Sequence, residues 1–446
     1  MPVNSKKFAS LVRERILILD GAMGSMLKEQ KLADMLCLEK PALIVSIHNA
    51  YLEAGADIIS SCSFNANAIS LADYGLADKA YEISRAAAAL AREAADKFST
   101  AEKKRFAAGS MGPTSKSASI CQDLNDPGKR SVSWDELEAA YYDNARGLLD
   151  GGADLLLLET IFDTLNAKAA IAAVMRLREE RNADIPLMIS ATVANDAGRL
   201  LSGQSLEAFA VSVSHAEPFS IGLNCSFGAE RLFPHLAALS AFTPFSVSCY
   251  PNAGLPDQSG AYREGPEQTA LFMKKFFEQG IVNIAGGCCG TTPAHIAALA
   301  ELAKNYKPRP LREKPAQNFF AGLEAFALSG AVNAAYDQRL SGFIKNNLPE
   351  DAANLLNDLI DDGAEFIKIC LDDDLSREQI VCFLNNILFD PSIARVPIFF
   401  ECSSRELLVA ALKCVQGKSL VSSSCFKKED SEFLRQFIRR YGAVKE

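Results

Sequence analysis

The sequence predicts an α/β protein: a (β/α)8 TIM barrel followed by a partial, half-barrel-like βα domain. Three observations carry that expectation. Short β-type runs alternate with longer amphipathic segments, eight such runs precede residue 305, and several of them are apolar almost throughout. Parallel strands covered on both faces by helices read as continuous apolar runs, whereas a sheet with one wet face alternates. The runs fall at 16–19, 57–60, 105–109, 154–158, 186–191, 219–223, 245–249 and 281–285. Between them, 134–151, 165–178, 207–215 and 267–279 repeat apolar residues at helical spacing. Eight strand-then-helix units make the closed barrel the first choice, with an open doubly wound sheet as the alternative. There is no Walker-type phosphate loop and no dinucleotide fingerprint, and Gly21-Ala-Met-Gly24 is too short to count as one.

The chain of 446 residues divides by composition into three parts. Residues 1–306 form the expected barrel, and the proline-rich, charged stretch 307–315 reads as a linker. In 316–446 the rhythm returns only briefly, with strands at 366–369, 397–400 and 419–422, a further one near 319–323, and helices at 351–361 and 404–415. About four βα units cannot close a barrel of eight.

Composition excludes several function classes. With 49% hydrophobic and 23% charged residues the chain has the make-up of a globular enzyme. A net charge of −9 offers no field for nucleic acid or anionic lipid, and no apolar run approaches the roughly 20 residues that span a bilayer. The opening Met-Pro-Val-Asn-Ser-Lys-Lys lacks the apolar region of a signal peptide. Twelve scattered cysteines read as free thiols or metal ligands rather than a disulfide framework, so a cytoplasmic location is expected.

The chemistry concentrates at the ends of the runs. The run at 281–285 leads into Gly286-Gly-Cys288-Cys289-Gly290-Thr-Thr-Pro293, where the glycines allow a sharp turn and Thr292 with Pro293 starts a helix. Cys225 has the same setting after the sixth run. Thiols at carboxyl ends of strands stand where α/β proteins place their chemistry, and these three are expected to bind one zinc ion. Cys62 and Cys249 also follow runs and are rival ligands, while Cys37, Cys121, Cys382 and Cys414 read as small buried hydrophobes. The four histidines lie inside helical patterns and read as core or surface residues. Asp20 and Glu159, at the ends of the first and fourth runs, offer negative charge for an ammonium group. Their bland readings are turn chemistry for Asp20 and a local ion pair or helix cap for Glu159. Gly21, Ala22, Met23, Ser110 and Asn224 complete the expected substrate-binding rim, whose exposed N–H groups suit a carboxylate. A mouth of this kind suits an amino acid bearing a thiol.

The segments LDGAMGSML, GPTSKSASI, DLLLLETIFDTLNAKAA, LSGQS, GLNCSFG, YPNAGLP and GGCCGTTPAHI, in this order over residues 10 to about 305, resemble homocysteine-binding methyltransferases. The likeness is strongest to the amino-terminal module of cobalamin-dependent methionine synthases and weaker to betaine–homocysteine methyltransferases. The resemblance implies zinc on Cys225, Cys288 and Cys289, and the amino group of homocysteine held by Asp20 and Glu159. It further implies a homocysteine S-methyltransferase that activates the thiol on zinc and yields methionine. One departure lies in Ser60-Ser-Cys-Ser-Phe64, where the family usually reads Glu-Thr-Asn-Thr-Phe.

DPSIARVPIFF and LKCVQGKSLVSS resemble the opening of the folate-binding module of the same enzymes, in a truncated and altered form. The family's Asp-Ile-Asn-Met-Asp is replaced by Lys368-Ile-Cys370-Leu-Asp372, its Ile-Asp-Ser-Ser by Phe400-Glu401-Cys-Ser, and its Asn-Ser-Ile-Ser by Ser422-Ser-Ser-Cys425. A pterin site loses affinity steeply when its hydrogen-bonding partners go, so 316–446 reads as a non-binding remnant. No cobalamin-binding Asp-x-His-x-x-Gly segment occurs. The methyl donor is therefore expected from outside: methylcobalamin on a separate corrinoid-binding protein first, S-methylmethionine or another small sulfonium compound second. A non-catalytic accessory subunit, docking onto such a protein, is the alternative reading.

Overall fold

The computed structural model describes residues 5–27, 32–123, 125–313, 318–328, 332–371, 374–422 and 431–446. The expected domain boundary at 315/316, Asp372 of the altered 368–372 stretch and the altered segment 423–425 lie outside the described residues.

Eight parallel strands follow the predicted runs: β1 (Leu17–Ile18), β2 (Ile58–Ser60), β3 (Phe106–Met111), β4 (Leu155–Ile161), β5 (Leu187–Ala191), β6 (Ser220–Gly228), β7 (Ser246–Asn252) and β8 (Ile284–Ala285). Each pairs with its sequence neighbour from β2 to β8, and β8 pairs with β1. A parallel bridge between Leu19 and Ile58 joins β1 to β2, supported by Asp57 N–H to Ile18 O at 2.7 Å, and the sheet closes on itself. The open doubly wound alternative is thereby excluded. The apolar continuity of the runs has its cause in this geometry, since every residue of β3, β5 and β7 is buried, between the interior and the helical layer.

Inside the barrel, Leu17, Leu19, Ile58, Phe106, Leu155, Leu157, Met188 and Ile284 form one apolar cluster. The helix Ser5–Glu14 contributes Phe8, whose ring meets Phe106 and Phe219 edge-on at 4.6 Å each. This aromatic plug stops the amino-terminal end, so the chemistry is left to the carboxyl end. The predicted helices appear as Trp134–Asp150, Thr164–Arg181, Leu206–Val213 and Pro266–Glu278. Ser133 and Glu136 form a capping box before the first of these, and Asp163 and Ser205 cap the next two.

Beyond the barrel, β11 (Ala334–Ala335), β12 (Phe366–Leu371), β13 (Ile398–Cys402), β14 (Leu420–Val421) and β15 (Val444–Lys445) form an open parallel sheet in that order. The strand expected near 319–323 exists as β9 (Asn318–Ala321), but it pairs antiparallel with β10 (Ala325–Leu328) as a separate hairpin. Its Phe320 stacks edge-on against Phe366 at 5.1 Å and covers one face of the parallel sheet.

This second part packs against the barrel's helical layer and the loops after β3 and β5. Lys168, fully buried in Thr164–Arg181, donates to Val415 O at 2.7 Å and Gly417 O at 2.9 Å. Gln204 donates to Gly322 O at 2.7 Å, Arg130 to Asn385 O at 2.9 Å, and Asp135 pairs with both Arg377 and Lys413. The proline-rich stretch also touches the barrel. Arg309, 3% exposed, donates to Ser240 Oγ and to the carbonyls of Ser240, Thr243 and Phe245 at 2.6–3.0 Å.

Candidate metal and substrate site

At the carboxyl mouth the three predicted sulfurs come together. The Sγ atoms of Cys225, Cys288 and Cys289 lie within 4.8 Å of one another, and those of Cys225 and Cys289 are 3.8 Å apart. Two thiolates on one tetrahedral zinc, each with a bond of about 2.3 Å, stand roughly 3.8 Å apart. The donor set therefore fits a metal of that type. It is the single such cluster among the described residues, and the rival Cys249 is fully buried outside it. Cys62, the other rival, lies in the mouth but turns its thiol to Ala33 O at 3.5 Å.

Local backbone explains how the first sulfur is aimed. Cys225 and Ser226 both hold left-handed conformations, with φ of 57° and 60°, where the β6–β7 register shifts between Cys225 and Gly228. Non-glycine residues in that region cost of order 1–2 kcal/mol each, so the surroundings must hold them there. Ser226 Oγ accepts from Val193 N–H at 2.8 Å and meets Thr192 Oγ1 at 2.6 Å. A second bulge in β4, between Leu158 and Ile161, leaves Thr160 at φ 57° beside Glu159. Asn224 supports that turn, accepting from Thr160 N–H at 3.0 Å and donating to Thr160 Oγ1 at 2.7 Å. Its amide also approaches Cys288 Sγ at 4.0 Å. Asn224 is thus fully buried behind the sulfurs rather than in the cavity wall. The sulfurs interact among themselves: hydrogen bonds from Cys225 and Cys288 lower the Cys289 thiol, while Cys225 pushes the Cys288 thiol up.

A cavity of about 260 Å³ opens over the cluster, lined by Asp20, Gly21, Ala22, Met23, Ser110, Glu159 and the three cysteines among others. Asp20 is 2% exposed and accepts from Ser60 N–H at 2.8 Å and Ser60 Oγ–H at 2.9 Å. Burial raises its pKa to about 8, against the pull of these donors. Glu159 accepts from Ser110 Oγ–H; burial raises it to about 7 and the Ser110 donor works in the opposite direction. Gly21 is required by space, because a Cβ there would come within 2.7 Å of Thr291 Oγ1 and 2.9 Å of the Tyr51 ring. Among the described residues the lining includes three carboxylates, Asp20, Asp34 and Glu159, and no lysine, arginine or histidine. Such a wall favours an ammonium group. Two roomier hollows, of about 570 Å³ at Arg92–Asp154 and about 770 Å³ between barrel and second sheet, are bordered by paired charges without a ligand cluster.

Three residues of the mouth were not assigned by the sequence. Asp34 reaches it from a short 3-10 turn, Ala33–Met35, and accepts from Asn65 N–H at 2.9 Å. Tyr250, buried, forms part of the floor. Tyr262 comes from the loop after β7. Asp34 and Tyr262 come from connections, where no spacing signals their approach, whereas Tyr250 stands in β7, one residue past the run read at 245–249.

A closed barrel that presents a cluster of three thiols and three carboxylates in one small cavity defines an enzyme that handles a sulfur-bearing substrate. The chain belongs to the homocysteine S-methyltransferase family, whose profile matches residues 17–303. It is a methyltransferase, and homocysteine is the substrate of the family. Among solved structures it is similar to the homocysteine methyltransferase MmuM from Escherichia coli. The oxidized form matches with TM-score 0.54 and 26% identity over 67% of this chain and 99% of that one. The metallated form matches with TM-score 0.52 and 27% identity over the same shares.

Proposed function

We propose that the protein is a zinc-dependent homocysteine S-methyltransferase, with zinc held by Cys225, Cys288 and Cys289. The observation that carries this reading is the convergence of three sulfurs from two strand ends, with one pair already at the spacing of a tetrahedral site. The metallated form of MmuM supports it from a relative. Zinc held there by Cys225, Cys288 and Cys289 would supply the positive charge that favours the deprotonated form of the homocysteine thiol. The chain's own groups do the rest. Asp20 and Glu159 hold the ammonium group, Gly21, Ala22 and Met23 shape the wall against which the amino acid lies, and Ser110 orients Glu159. Asn224 keeps Cys288 and the Thr160 turn in place. The substrate sulfur then takes the methyl group, giving methionine.

The division into 1–306, 307–315 and 316–446 belongs to the same proposal, with the last part a folate-module remnant that binds no folate. Within its adjacent strands Lys368 and Glu401 pair at 2.5 Å, with Cys370 Sγ 3.8 Å from the same carboxylate, so these charges satisfy each other. The methyl group then comes from outside, from methylcobalamin on a separate corrinoid-binding protein. Eleven free cysteines among the described residues suit a reducing compartment, the cytoplasm. The altered strand ends also favour a second reading, a non-catalytic homocysteine-binding subunit. Zinc content and methionine formation, assayed against sulfonium donors and a methylated corrinoid protein, decide between them. About one zinc per chain with methionine formed supports the enzyme, while methyl transfer by zinc-free protein overturns the zinc reading.

A further inference from the structure

At the amino-terminal ends of β6 and β7, the end opposite the cysteines, a second cavity of about 240 Å³ lies between the barrel and the second part. The 3-10 turn Ser214–Ala216 and the approach to β7 at Thr243 and Phe245 form its barrel side. Phe319, Lys418 and Arg439 come from the second part. Phe319 meets Phe242 edge-on at 5.1 Å, so one wall of the cavity is aromatic.

Positive charge gathers on the other side. The Lys418 ammonium has no hydrogen bond or ion pair among the described residues, and lies 5.7 Å from the centroid of the Phe320 ring. Burial lowers its amine, with no carboxylate opposing the shift. Arg439 donates from Nε to His215 O at 3.2 Å. Lys168 and the His215 ring stand together against Gly442, where a Cβ would come within 2.9 Å of Lys168 Cε and 3.1 Å of the ring. His215 itself stays neutral, donating from Nδ1 to Ser212 O at 2.9 Å, because burial lowers it to about 3 and Lys168, Arg439 and Lys418 push the same way. Among the described lining residues Glu217 is the one carboxylate; its side chain is 60% exposed and pairs with Arg439 at 3.2 Å. A cation drawn out of water is normally paired, since its desolvation is otherwise uncompensated. A ring at that distance returns only part of the loss.

We propose that this cavity binds a small organic anion, its carboxylate or phosphate group held by Lys418 and Arg439 and its apolar body laid against Phe242 and Phe319. Such an occupant touches both parts of the chain at once and ties the second part to the barrel. That gives the second part a task which needs no folate and which is separate from the chemistry at the mouth.

Phenyl phosphate and benzoate are the probes, each an apolar ring carrying an anion, titrated by calorimetry into the full chain. At least one should bind saturably with a Kd below about 1 mM, and the tighter of the two identifies the head group. Inorganic phosphate and acetate, which lack the ring, should bind at least about 10-fold more weakly than their ring-bearing counterparts. Lys418→Met should weaken binding of the tighter probe by about 10-fold or more, the worth of a charge-assisted hydrogen bond. Without anion this variant should unfold in urea at the wild-type midpoint or above it, because an unpaired charge has been removed, so lost binding is not lost folding. With the probe present, wild type should gain thermal stability and Lys418→Met should not. No saturable binding of either probe up to about 10 mM overturns the proposal. Binding that Lys418→Met leaves unchanged also overturns it, since that anion sits elsewhere, and ringless anions that bind as tightly overturn the aromatic wall.

Discussion

Asp20 gives the proposed ammonium site a pH dependence that one substitution should erase. Its carboxyl is buried and raised to about 8, so near neutrality the empty cavity holds it mostly protonated. An ammonium needs the ionised form, and apparent affinity scales with the fraction of protein in the competent state. That fraction climbs from about 1% near pH 6 to about half near pH 8, which predicts roughly 50-fold tighter binding, or about 2.3 kcal/mol. Glu159, raised to about 7, adds to the same trend with the same sign. Methionine is the ligand of choice, because it carries the amino acid ends without a thiol that titrates in the same range. Isothermal titration calorimetry in buffers of different ionisation enthalpy should show between one and two protons released per methionine bound near pH 6.5, fading above pH 8. In Asp20→Asn the slope should flatten to that of Glu159 alone, and binding near pH 8 should weaken by about 10- to 100-fold through loss of a charge-assisted hydrogen bond. Wild-type affinity unchanged between pH 6 and pH 8, or an Asn variant that binds as tightly as wild type at pH 8, refutes this assignment of the ammonium site.

Other outcomes are as direct. Cys289→Ala should reduce bound zinc from about one per chain to a small fraction, read by atomic emission after dialysis, with methyl transfer lost in parallel. Lys168 tests the packing between the two sheets: burial lowers its amine from 10.5 to about 7, so the unfolded chain binds more protons between those values. Stability should therefore rise with pH across that window, by up to about 5 kcal/mol, and Lys168→Met should remove the slope in urea titrations while the shared contribution of the thiols cancels in the comparison. Arg309→Ala strips four hydrogen bonds from the barrel's edge and should cost about 3 kcal/mol by the same urea measurement, with zinc affinity unchanged.

The barrel was legible because its strands are buried on both faces and so announce themselves as unbroken apolar runs. Every one of the eight runs became a strand in the predicted order. The end of β6 was not, since Cys225 and Ser226 extend it through a left-handed bulge that leaves no periodic mark. In the second part, 319–323 reads as a parallel strand by its apolar content, yet Phe319 and Phe320 belong to a hairpin, and strand direction is not written in apolarity. The edge strands Ala334–Ala335 and Val444–Lys445 are too short to form a run. The stretch read as a linker conceals Arg309, whose burial depends on carbonyls contributed by residues some 65–70 positions earlier. In the site, the sulfurs and carboxylates lay at strand ends and were found there. Asp34 and Tyr262 became visible only when the loops were seen to converge, whereas Tyr250 stands in β7 just past the run at 245–249.

The aromatic plug formed by Phe8, Phe106 and Phe219 bears on kinetics as well as packing. With the far end stoppered, the amino acid and whatever carries the methyl group share a single doorway. The sulfurs stand at the inner end of that passage, so under the proposed function an incoming carrier would seat itself above a homocysteine already in place. Methionine then departs only after the spent carrier has withdrawn, and steady-state rates should show the intersecting lines of an ordered sequential mechanism.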